Sequence, residues 1–130
     1  MKYQMENATE DNRQIKNYDN FFFPAEDYEQ SKRFYRDVLG LKIKFEFAEQ
    51  GMVAFAVGDE EPAIILKDTK KFPDAKPCVW IEVADVRALY EETKNKGAVF
   101  ITPPFKIRTG WAVELNDPSG NRIGFADYIR

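Results

Sequence analysis

The chain has 130 residues, which fits one domain with a real core, and its 44% hydrophobic and 15% aromatic residues exclude disorder over the whole length. The formal charge of −3 carries no basic field of the kind that phosphate contacts need, so nucleic acid is not an expected partner. Histidine is absent, which removes the commonest metal ligand and the commonest general base at neutral pH.

A single cysteine, Cys78, allows no internal disulfide. No stretch approaches the roughly 20 apolar residues of a membrane helix, and no apolar signal-like run opens the chain. No membrane partner is expected, and the cytoplasm is the expected location. Residues 1–17 are polar and without apolar period; they read as a flexible tail, or as a segment packing on a partner subunit.

Residues 20–23 form a short apolar strand closed by Pro24. Asp27 then caps a helix, with Gln30 at the reach-back position of a capping box. Tyr28, Ser31, Tyr35, Val38 and Leu39 fall on one helical face, and Gly40 ends it. Leu41, Ile43, Phe45 and Phe47 alternate with Lys42, Lys44 and Glu46, the pattern of a half-buried strand. Gly51 turns the chain into a strand over 52–57, and residues 58–61 make a polar turn. Residues 63–66 are apolar on both faces, as in a central strand. A loop rich in lysine follows, with Pro73 and Pro77. Lys67, Lys70, Lys71 and Lys76 cluster around it, read as a solvated loop against the alternative of an anion-binding patch.

The order then restarts. Residues 78–83 are a strand, Asp85 caps a second helix, and Val86, Leu89, Tyr90 and Thr93 form its buried face up to Gly97. Residues 99–101 begin a strand that Pro103 and Pro104 interrupt. Residues 111–115 and 122–128 are the last two strands, joined by a tight turn at 117–120. Both halves read strand, helix, three strands. The segments 51–68 and 110–127 align without a gap, from glycine to aspartate. The expected fold is α+β: two βαβββ modules, 18–68 and 76–130, within one domain over 18–130. They build a curved eight-stranded mixed sheet with the helices on its convex side and a groove between the modules.

Three segments carry a family resemblance. "FYRDVLGL" (34–41) closely matches the first-helix motif of the glyoxalase / bleomycin-resistance / dioxygenase superfamily, the vicinal-oxygen-chelate fold. "VADVRALYEETKNKGA" (83–98) resembles its second helix, and "NDPSGNRIGF" (116–125) its last hairpin. The resemblance spans about 18–128. It implies the fold and a homodimer; it does not choose a chemistry, because relatives include isomerases, epimerases, dioxygenases, thiol transferases and drug-sequestering proteins.

In metal-dependent relatives, ligands project into the groove from four equivalent positions. The resemblance places these at Asn20, Ile65, Cys78 and Gly124. Catalytic zinc or iron sites need three strong protein ligands, and this set offers one thiolate. No metal and no cofactor is therefore expected.

Strand alternation puts Phe22, Trp80, Glu82, Arg122 and Ala126 on the same inward face as Asn20, Cys78 and Gly124. On the second strand it leaves Lys44 and Glu46 for the groove. Asn20, Phe22, Lys44, Trp80, Arg122 and Gly124 are the candidate ligand-binding residues. Cys78, Glu82 and Glu46 are the candidate catalytic groups, with Glu114 a further possible base. Against each stands a plain role: Trp80, Trp111 and Cys78 as core, Glu82 with Arg122 as a structural ion pair. Three functions compete. The first is metal-independent binding of a small molecule, the acidic balance favouring a cation. The second is an enzyme of the same fold using acid–base or thiol chemistry, or unusual metal ligands. The third is an interaction module whose groove is filled by its own aromatic residues.

Overall fold

The computed structural model describes residues 14–129. The strands are β1 (Ile15–Ala25), β2 (Lys42–Phe47), β3 (Met52–Ala56), β4 (Ala63–Asp68), β5 (Cys78–Val83), β6 (Val99–Phe100), β7 (Phe105–Ile107), β8 (Gly110–Asn116) and β9 (Arg122–Ala126). The helices are α1 (Tyr28–Arg33) and α2 (Val86–Lys94).

One mixed sheet runs β2-β3-β4-β1-β5-β9-β8-β6, with β7 also on β8. Among the described residues it has nine strands and not eight, because Pro103 and Pro104 divide one expected strand into β6 and β7. Within each module the first strand pairs in parallel with the last, β1 with β4 and β5 with β9. The modules join through the antiparallel pair β1–β5.

The aspartate caps form as expected. Asp27 accepts from the Gln30 N–H and Asp85 from the Ala88 N–H, each at 3.1 Å. α1 packs on Val53, Phe55 and Leu66; α2 packs on Val83, Val113 and Phe125. Side chains on the other sheet face make two smaller clusters. One contains Cys78, Trp80, Ala112 and Ala126, the other Ala54, Ala63 and Ile65, and Phe22 packs against both. Phe22 thus joins the modules on the concave side.

The repeat is physical as well as sequential. A Cβ at Gly51 would stand 2.9 Å from Asp68 Cβ, and one at Gly110 would stand 2.3 Å from the Asp127 carbonyl. Each module therefore closes with an aspartate lying over a glycine, which no larger residue leaves room for. In the second module Asp127 is fully buried, and its carboxylate accepts from the N–H groups of Val86, Trp111 and Ile129.

Three expectations need correcting. The first strand begins at Ile15, so residues 15–17 belong to the sheet and not to a tail; Ile15 and Asn17 pair with Val83 and Glu82. Gln14 is also engaged, its side chain accepting from the Asp85 N–H. The rest of the expected tail, 1–13, lies outside the described residues. Second, α1 passes into a π-helical turn over Phe34–Val38, with the Leu39 N–H bonded to the Phe34 carbonyl. The wider turn rotates Val38 and Leu39 outward, 71% and 52% exposed, and Leu41 packs on the core instead. Third, β2 contains a bulge between Ile43 and Phe45. An extra residue reverses the alternation of everything after it, with consequences for Lys44 and Glu46.

Candidate functional site

The concave face carries the site. Asn20, Phe22, Cys78, Trp80 and Gly124 lie on it as the alternation required. Asn20 pairs in register with Trp80, Phe22 with Cys78, and Trp80 with Gly124. Trp80 and Phe22 meet at 5.2 Å between ring centroids, and their rings occupy the middle of the groove. The indole lies directly on Gly124, where a Cβ would stand 2.5 Å from Trp80 Nε1. Gly124 is thus the residue that lets Trp80 lie down.

Two recesses remain open along this face. The first holds about 300 Å³ and is walled by Phe22, Phe72, Cys78 and Trp80. Its charged lining is Lys67, Lys71, Lys76 and Arg122, against Asp74 and Glu114. The second holds about 650 Å³ at the other end of the central strands, with Asp19, Glu60, Glu61 and Glu82 facing Lys44. Three of its charges, on Lys44, Glu61 and Asp19, are already engaged. Lys44 donates to the Glu61 carbonyl at 2.6 Å and sits 3.5 Å from the Glu61 carboxylate. Asp19 accepts from the Tyr128 hydroxyl and the Asn20 amide.

The first recess is less satisfied. Trp80 Nε1 and Arg122 Nε are buried donors with no acceptor among the described residues. Buried polar groups without partners are uncommon in folded proteins. Arg122 Nη1 donates to the Asp74 carbonyl at 3.0 Å and lies 4.0 Å from Glu114 Oε1. Lys67 Nζ sits over the rings of Phe22, Phe72 and Trp80 at 4.6, 5.0 and 5.9 Å. Burial pulls the Lys67 ammonium below its usual range; Glu114 and Cys78 oppose that shift and Arg122 adds to it.

The sequence candidates divide accordingly. Phe22, Cys78, Trp80 and Arg122 line the first recess; Asn20, Lys44 and Glu82 line the second. Glu46 lines neither. The β2 bulge turns it to the helix side, where its carboxylate accepts from Tyr28 Oη at 2.9 Å and Lys32 Nζ at 3.0 Å. The same reversal brings Phe45 onto the concave cluster. Glu82 is not the partner of Arg122 either. It lies four residues along β5 from Cys78, the register partner of Arg122, roughly 13 Å at strand rise. Glu114 takes that place. Cys78 is 7% exposed, and burial pushes its thiol up to about 11; Glu114 raises it too, against Arg122, the Trp80 indole and Lys67. A thiol so placed is a small core residue and a poor nucleophile.

Sequence reasoning missed Phe72, and it set Lys67, Lys71 and Lys76 down as a solvated loop with an anion-binding patch as the lesser alternative. The lysine-rich connection is solvated at Lys70, Lys71 and Lys76, as read, but it also runs along the rim of the recess, and Lys67 is half-buried in it. The signal was available for Lys67, which lies two residues past Ile65 on the same face of β4.

The four positions of a chelating relative do not fit a divalent metal here. Ile65 is apolar and buried, and Gly124 has no side chain and lies under an indole. The Asn20 amide oxygen accepts from the Ala63 N–H at 3.0 Å. Among the described residues no three His, Cys, Asp or Glu side chains converge on a point where an ion could sit.

Comparison with known proteins agrees with this architecture. The family model for the Glyoxalase/Bleomycin resistance protein/Dioxygenase superfamily matches residues 17–125, and the chain belongs to that superfamily. Similar solved structures include a superfamily member from Vibrio splendidus 12B01, with TM-score 0.66, 18% identity, and coverage of 82% of this chain and 95% of that one. Methylmalonyl-CoA epimerase from Mycobacterium tuberculosis gives TM-score 0.70 at 15% identity, covering 92% of each chain. An NAD-dependent benzaldehyde dehydrogenase from Legionella pneumophila gives 0.69 at 16%, covering 85% of this chain and 98% of that one. At such identities the likeness establishes the fold. No curated protein sequence matches the chain.

Proposed function

We propose that the protein binds a small organic anion with an apolar or aromatic body in the first recess, without a divalent metal. One observation carries the reading: four aromatic residues meet four basic side chains and only two carboxylates in a single recess. Its volume is at the lower end of ligand pockets, which run from about 300 Å³ upward. Arg122 presents a planar guanidinium, the group best matched to a carboxylate. An entering anion beside it supplies an acceptor that the buried donors lack.

The net charge of −3 points to a cationic ligand, but a ligand responds to the local field, and at this recess the local field is positive. The groove is not wholly filled by its own aromatic rings, which weakens the interaction-module reading. The homodimer and the cytoplasmic location stay part of the proposal; sedimentation of the purified chain tests the first.

The test is a calorimetric panel against chelator-treated protein, pairing 3-phenylpropionate with benzyltrimethylammonium. The anion binds at one site, and Arg122→Met weakens it by roughly 10- to 100-fold, the value of a hydrogen bond to a charged group. Preference for the ammonium compound, or indifference to Arg122→Met, sinks the reading. An enzymatic role is favoured by one further feature, the amine of Lys67.

A further inference from the structure

Lys67 is held in an unusual way for a lysine. Among the described residues it forms no hydrogen bond and no ion pair; its ammonium contacts only the faces of Phe22, Phe72 and Trp80. Those three rings and the amine all line the first recess. The carboxylate acting most strongly on Lys67 is Glu114, and the nearby cation is Arg122; both line the same recess. Lys67 is half-buried, whereas Lys71 and Lys76 on the same rim are exposed.

An amine in apolar surroundings loses part of its reason to stay protonated, because burial penalises the charged form. The free amine is a nucleophile toward carbonyl carbon, which is how desolvated lysines come to form imines. The neighbours supply what such a reaction needs. Arg122, with Lys71 and Lys76 at the rim, neutralises an anionic group next to the carbonyl. The Glu114 carboxylate lines the same recess and can relay a proton from the amine to the departing oxygen.

We infer that Lys67 is a carbonyl-condensing amine and that the recess takes a small 2-oxo acid. This deepens the proposed function and rests on it. In the step, Lys67 Nζ bonds to the carbonyl carbon to give a carbinolamine. The carbon–oxygen bond then breaks, and the oxygen leaves as water with the two protons the neutral amine gives up. No oxidant or reductant is consumed, and the product is an imine with the acid anion still beside Arg122.

The experiment is reductive trapping on the full chain. Wild-type protein is incubated with phenylpyruvate and sodium cyanoborohydride near neutral pH, and adducts are located by peptide mass mapping. A single adduct at Lys67, exceeding that at any other lysine by roughly tenfold as expected for a bound reactant, supports the inference. Label spread evenly over surface lysines overturns it. Calorimetry with phenylpyruvate in the absence of reductant, on wild type and Lys67→Arg, separates this inference from the binding proposal. Binding retained in both with no Lys67 adduct in wild type refutes condensation and leaves the anion site standing. No binding and no adduct refutes both.

Discussion

Adding one methyl group at Gly124 tests how the groove is built. In Gly124→Ala the new Cβ stands 2.5 Å from Trp80 Nε1 and 2.6 Å from Cδ1 and Cε2. Carbon contacts settle near 3.5–4.0 Å, so the indole has to retreat by about 1 Å. It has little room to do so. Trp80 is 7% exposed and packs among Cys78, Ala112, Ala126 and Phe22. Overpacking of this kind costs about 1–3 kcal/mol, and a rigid buried ring against a strand backbone belongs in the upper half of that range. At about 2–3 kcal/mol the ratio of folded to unfolded protein falls by roughly 30- to 150-fold. Urea denaturation followed by tryptophan fluorescence measures it, as a lower midpoint at unchanged slope. In the Trp80→Phe background the smaller ring leaves space, and the same methyl costs less than about 0.5 kcal/mol. Equal midpoints for wild type and Gly124→Ala, or an equal loss in both backgrounds, would refute the packing argument. A glutamate at this position meets the same obstacle, so Gly124→Glu alone does not rebuild a chelating site.

Four further outcomes follow from named contacts. Asp127→Ala strips acceptors from the Val86 and Trp111 N–H groups at 2.7 and 2.9 Å, and costs about 3–5 kcal/mol in urea. Asp68→Ala removes one surface bond to the Lys70 N–H and costs about 1 kcal/mol or less. Glu46 is raised by burial but lowered more by its bonds to Lys32 and Tyr28, so it stays ionised below its ordinary 4.5. A depressed folded value means stability fully present above about 4.5 and lost as the pH falls below that, through the lowered value of the folded state. Glu46→Gln therefore flattens the acid limb of stability against pH, and leaves affinity for 3-phenylpropionate unchanged. The Cys78 thiol, pushed up to about 11, reacts slowly with iodoacetamide at pH 8 in the folded protein and rapidly in guanidinium chloride; fast labelling of the native state contradicts the buried assignment.

Much of the fold was legible because local signals agree with the global answer. Asp27 and Asp85 open helices, Gly40 and Gly97 follow them with positive φ, and the glycine-to-aspartate repeat marks the module ends. What escaped the pattern is what depends on one inserted residue. The bulge near Lys44 exchanges the faces of Phe45 and Glu46, and a π turn moves Val38 and Leu39 outward. Neither has a strong sequence signature. The site was half legible for a related reason. Residues on β1 and β5 follow strict alternation, so Phe22, Cys78 and Trp80 were placed. The connection between modules has no period, so Phe72, Lys71 and Lys76 read as surface until the chain is seen to close on the groove.

The central claim is that an anion binds between the modules and that no divalent metal mediates it. Calorimetry of chelator-treated protein with 3-phenylpropionate, repeated after addition of zinc or manganese, tests it most directly. The account predicts one binding site whose affinity is the same in every condition and falls in Arg122→Met. Binding that appears only with metal, and is lost in Cys78→Ala and Asn20→Ala, would contradict it.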